Sequence, residues 1–134
     1  MIELLMAITV FGMSALLTLP LLKDLTLAQD VRSARAAVAN TYARARVHAV
    51  QMRKPATLQV SATSIWVTVP RGGGVDTVGP VVNLEQAYGV AVEATGGLTV
   101  LPTGLVNASV PVVIRVRRAG LADSVVISGY GRLR

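Results

Sequence analysis

Residues 4–22, LLMAITVFGMSALLTLPLL, run for 19 positions without a charge, and residues 23–54, KDLTLAQDVRSARAAVANTYARARVHAVQMRK, continue from them without a Gly or Pro. As an α-helix the first stretch is about 29 Å long, close to the hydrocarbon thickness of a bilayer. It is longer than the apolar core of a signal peptide, and no small-residue cleavage site follows it. Residues 1–22 are therefore expected to form a transmembrane half-helix. The competing reading is a buried core helix, which a chain of 134 residues would struggle to wrap on all sides. In the second stretch apolar residues recur every three or four positions: Leu27, Val31, Ala34, Val38, Tyr42, Ala45, Ala49 and Met52. That stripe makes residues 23–54 the amphipathic second half of the same helix, wide enough to hold a small sheet, with Pro55 as its stop.

After Pro55 the period drops to two and β-branched residues dominate. Strands are expected over 57–61, 64–69, 81–84, 90–94, 98–101, 110–117 and 124–128. Gly72-Gly73-Gly74, Gly79-Pro80, Gly96-Gly97, Pro102 to Gly104 and Gly120 punctuate them as turns. The fold class that follows is α+β: a long N-terminal helix packed under an antiparallel β-sheet, with the β-rich part, 55–134, forming one domain with 23–54.

Hydrophobic residues make up 52% of the chain and charged residues 15%, which excludes a disordered, solvating polypeptide. Thirteen Lys and Arg against seven Asp and Glu give a net charge of +6, which points to an anionic partner, nucleic acid or membrane lipid. Cysteine is absent, so disulfides, Cys-zinc sites and thiol nucleophiles are excluded. His48 has no His, Asp or Glu at metal-ligand spacing on its helix face and reads as a surface residue. The triple glycine at 72–74 is followed by no Lys-Ser or Lys-Thr and opens no helix, so it reads as a hairpin tip and not a P-loop. Asp76, Glu85, Glu93 and Asp123 stand singly. Nothing in this set forms a catalytic constellation, and no enzyme activity, cofactor or metal is expected.

Glu3 is an ionisable residue at the head of the apolar span, where charge is costly, and is a functional residue by default unless it snorkels to water. Pro20 lies within the helical pattern and is expected to kink or loosen it. Met1-Ile2-Glu3-Leu4-Leu5, the apolar stretch and Pro20 in that register resemble the start of the type IV pilin-like superfamily, which includes type IV pilins and type II secretion pseudopilins. That family begins, after removal of a short basic leader by prepilin peptidase, with Phe-Thr-Leu-Ile-Glu-Leu. This sequence starts two residues later, so the natural chain is expected to read onward from upstream codons. The resemblance makes Glu3 and Pro20 filament-assembly residues and implies methylation. It also places the chain as a single-pass protein of the bacterial inner membrane before assembly, with its domain outside the cytoplasm. The visible charges, all basic ones lying C-terminal to the span, would by themselves put the domain inside.

The last twenty residues hold Arg115, Arg117, Arg118, Arg132 and Arg134 against Asp123 alone. In a strand, positions i and i+2 share a face about 6.5–7 Å apart, so Arg115 with Arg117, and Arg132 with Arg134, each present two guanidinium groups on one side. Gly129 and Gly131 flank Tyr130, which suggests a flexible or bulged tail. The ending Gly131-Arg132-Leu133-Arg134, with the passage from Ser33-Ala34-Arg35 through Arg53-Lys54-Pro55-Ala56-Thr57-Leu58, resembles the pseudopilin H and FimT branch of the superfamily. That resemblance implies a FimT-like minor pilin whose arginines bind double-stranded DNA for natural transformation. Its alternative is a pseudopilin of the type II secretion system whose arginines pair with acidic residues of neighbouring subunits. A single-span surface protein lying against anionic lipid is the third reading.

Overall fold

The computed structural model describes residues 2–94 and 97–134, and within them the side chains except those of residue 5 and residues 13–24. Helix α1, Ile2–Met52, is continuous through position 20. Its second half forms because the stripe at three- and four-residue spacing has a sheet to face. Val31, Ala34, Val38, Tyr42, Ala45 and Ala49 are all buried. The stripe's two ends differ from expectation: Leu27 is half-buried and Met52 exposed, because the sheets cover only the middle. The helix stops where Arg53 turns left-handed, at φ 51, two residues before Pro55.

The expected strands sort into two antiparallel sheets. One contains β1 (Ala56–Val60), β2 (Ser64–Arg71), β3 (Gly74–Asn83) and β5 (Leu98–Val100) in the order β3-β2-β1-β5. The other contains β4 (Ala91–Ala94), β6 (Val112–Arg118) and β7 (Leu121–Ile127) in the order β4-β6-β7. Leu58, Ile65, Val67 and Val100 from the first sheet and Val92, Ile114, Val116 and Ile127 from the second complete the core against α1. Each buried aliphatic side chain contributes roughly 1.5–3 kcal/mol of transfer free energy.

Two local expectations change. Gly79-Pro80 lies inside β3, where the register slips between the Ile65–Val82 and Val67–Val78 pairs. Proline is accommodated there because β3 is an edge strand with a bulge, so the missing N–H costs no ladder bond. A short helix, α2 (Leu84–Tyr88), follows it. Asn83 caps it by accepting from the Gln86 N–H at 2.9 Å, and Gly89 ends it at φ 63. Of the expected Gly96-Gly97 turn, Gly96 lies outside the described residues.

At the start of α1, Ile2, Leu4, Met6, Ile8, Val10 and Phe11 are all exposed. Among the described residues no helix is long and apolar enough to cross a membrane. Residues 5 and 13–22, most of the stretch expected to do so, lie outside the described side chains.

Candidate nucleic-acid interface

Along β6, Val112, Ile114 and Val116 turn inward, while Arg115 and Arg117 alternate with them into solvent, as the period of two predicts. The tail does not hang loose. Its last residues fold back on β7: Leu133 bridges Ile127, Val126 and Arg134 exchange both backbone hydrogen bonds at 2.9 Å, and the Ser128 N–H reaches the Arg132 carbonyl at 3.0 Å. This sets Arg134 opposite Val126 and Arg132 opposite Ser128. Val126 pairs in turn with Val113, and Ser124 with Arg115. Residues directly opposite in an antiparallel ladder share a face, so Arg115, Arg117, Arg132 and Arg134 all project from the side of the sheet away from α1. Two strand spacings and one two-residue step separate the Arg115 and Arg134 backbones by about 12 Å.

Glu93 of β4 lies opposite Arg115, and its carboxylate accepts from Arg117 Nη1 at 3.4 Å, with both side chains more than half exposed. Among the described residues, Arg115, Arg132 and Arg134 have no ion-pair partner. Asp123 belongs to the opposite face, where it pairs with Arg35 of α1 at 3.4 Å. Pro111, Val126, Ser128 and Tyr130 form with Arg132 and Arg134 a recess of about 330 Å³.

Arg118 does not join this set. It continues the inward period of β6, and its guanidinium donates to Asp30 of α1 and, at 2.7 Å, to the Tyr88 carbonyl at the end of α2. It ties three elements together and is two-thirds covered.

The expectation of a flexible tail is corrected by the contacts at Gly131. This residue is buried at φ 75, its N–H donates to the Ser128 carbonyl at 2.8 Å, and its carbonyl accepts from the Tyr42 hydroxyl at 3.1 Å. A Cβ here would lie 2.9 Å from Tyr42 Oη and 3.0 Å from the Gly104 carbonyl oxygen. Burial raises the Tyr42 phenol above its ordinary value, against a smaller opposing pull from Arg46. Sequence reasoning placed Tyr42 in the core stripe but missed its role as the anchor of the arginine tail, which only the fold-back creates.

Glu3 is exposed in the first turn of α1, and the Pro20 side chain lies outside the described residues. His48 is not the surface residue expected: it is half-buried, and its Nδ1 is buried with no hydrogen-bond partner. Among the described residues no group of His, Asp and Glu could hold a metal ion.

No protein-family model matches the sequence, and no curated protein matches it. Among solved structures the chain is similar to the type IV minor pilin FimU of Pseudomonas aeruginosa in one crystal form, with 16% identity over 80% of this chain and 88% of that one, at a TM-score of 0.66. A second crystal form of FimU matches at a TM-score of 0.62, with 16% identity over 77% of this chain and 90% of that one. The minor pseudopilin EpsH from the type 2 secretion system of Vibrio cholerae matches at 0.59, with 16% identity over 75% of this chain and 94% of that one. The fold is thus the pilin-like α+β fold expected from the sequence, in a form seen in minor pilins and pseudopilins.

Proposed function

We propose that this chain is a minor type IV pilin that binds double-stranded DNA through Arg115, Arg117, Arg132 and Arg134. The observation that carries the reading is the convergence of these four arginines on one sheet face where, among the described residues, Glu93 supplies the single acidic side chain. Guanidinium groups bind phosphate bidentately, and such contacts are sequence-independent and salt-sensitive. Exposed aromatic surface is confined to Tyr130 on this side, too little for a single-strand stacking platform, so a duplex is the better ligand. Assembly would run through the apolar first half of α1, with Glu3 meeting the N-terminal amine of a neighbouring subunit and Pro20 loosening the helix. By the same resemblance, the subunit waits in the inner membrane with its domain outside the cytoplasm, after prepilin peptidase has processed the full-length precursor.

The second reading, a type II secretion pseudopilin, draws support from the likeness to EpsH and from the way Arg35, Arg117 and Arg118 already engage carboxylates within the chain. In that case the exposed arginines meet acidic residues of neighbouring subunits. Fluorescence anisotropy of a labelled duplex against the full chain in detergent micelles separates the two. The DNA reading expects micromolar binding, with a salt slope that becomes shallower by about 0.9 for each phosphate that Arg132→Ala/Arg134→Ala leaves unneutralised. Absence of binding at low salt transfers the arginines to subunit contacts.

A further inference from the structure

The flank opposite the tail carries a second basic surface of different shape. β3 lies at the edge of its sheet, and a groove runs between it and α1. Three cavities of about 340, 210 and 430 Å³ follow one another along it. The first two share His48 and Val78, and the last two share Arg44. From Ser33 to Met52 the groove follows about 29 Å of helix. Over the first two cavities its floor is apolar, built from Val67, Val69 and Val78; the third, beside Val82, adds Ser33, Asn40 and Thr41, and the rim carries Arg44, Lys54 and Arg71. Asp76 is the one carboxylate among the described residues that line it, and Arg71 already holds that group at 3.1 Å.

His48 sits where the first two cavities meet, with the unpartnered Nδ1 described above. Because His48 lines both cavities, its imidazole is within reach of an acceptor that enters the groove. An apolar floor, a cationic rim and an unsatisfied imidazole together describe the complement of an amphipathic, acidic polypeptide.

We propose that this groove docks a segment of a partner protein that sets apolar side chains on the Val67–Val78 floor and carboxylates against Arg44, His48 and Lys54. Duplex DNA fits less well, because phosphates would be desolvated over valines with too few donors to satisfy them. A second copy of this chain is disfavoured by its charge, +6 with only seven acids to offer. About five helical turns span the groove, the length of a helix-in-groove ligand. The inference stands independently of the DNA face.

The test uses the full chain in detergent micelles and a labelled helical peptide of about 20 residues repeating Leu-Glu-Glu-Leu, with a Lys-for-Glu counterpart and micelles alone as controls. The acidic peptide is expected to bind and the basic one to fail. Arg44→Glu/Lys54→Glu should weaken binding by about tenfold or more, and His48→Leu by a few-fold, while Arg132→Ala/Arg134→Ala leaves it unchanged. Arg44 and Lys54 are exposed, so their variant keeps the fold, which circular dichroism verifies. Failure of the acidic peptide to bind, equal binding of the basic one, or an unchanged affinity in Arg44→Glu/Lys54→Glu overturns the proposal. So does displacement of the peptide by duplex DNA, which would merge the groove with the nucleic-acid face.

Discussion

The two faces of the β6–β7 hairpin use the same residue type to opposite ends. On the outer face Arg115 and Arg117 stand in water beside the folded-back Arg132 and Arg134, with Glu93 the only acidic side chain among the described residues there. On the inner face Arg118, the very next residue, is committed to Asp30 and the Tyr88 carbonyl and closes the seam between strand and helix. Strand register, and not composition, decides which arginine is available to a ligand. A cluster counted from sequence as five positive charges is in space a solvent-facing set of four and one internal tie.

The sharpest break of this contrast comes from neighbours on β6. Ile114→Ala empties a fully buried site and should cost about 2–5 kcal/mol, read from a denaturant midpoint, whereas Arg115→Ala next to it should stay within about 0.5 kcal/mol. Arg118→Ala leaves Asp30 and the Tyr88 carbonyl without their shared donor. We expect a loss of about 1–3 kcal/mol with duplex affinity barely changed, the reverse of Arg117→Ala. An Arg118→Ala protein of undiminished stability and poor DNA binding would erase the distinction between the faces.

Gly131→Ala places a Cβ against Tyr42 and Gly104 at a left-handed φ, and should cost about 1–3 kcal/mol while loosening Arg132 and Arg134. Tyr42→Phe removes only the hydroxyl and should cost about 0.5–1.5 kcal/mol. Because burial raises the Tyr42 phenol, the unfolded chain loses this proton first as pH rises. The stabilisation is complete below pH 10, the ordinary tyrosine value, and drains away as pH climbs through the raised value. Tyr42→Phe should flatten that part of the alkaline stability curve. The smallest effect belongs to Glu93→Gln: stability should change by less than about 1 kcal/mol, and duplex affinity should rise a few-fold as Arg117 is released.

Much of this arrangement could be read along the chain. The helix stripe announced which face of α1 is buried, and alternation on β6 announced that Arg115 and Arg117 share a side. Arg118 could have been assigned inward by extending the Val112, Ile114, Val116 period one step, had its charge not argued for solvent. That the two arginine pairs fall on a common face depends on strand pairing and on the tail's return to β7, both nonlocal. Gly79-Pro80 reads as a turn until β3 is known to be an edge. The five residues of α2 are too few to show a period, although Asn83 and Gly89 supply its caps. His48 lies three residues after Ala45 and four before Met52, so the helical period offered a signal for its partial burial that its polarity masked.

The tip of that hairpin has a practical consequence. Gly72 and Gly73 lie at positive φ with no other atom within 4 Å of where a side chain would begin. An epitope or fluorophore loop inserted between Gly72 and Gly73 starts from an open turn, and because Arg71 and Asp76 at its base line the first cavity, it reports on that groove from close by.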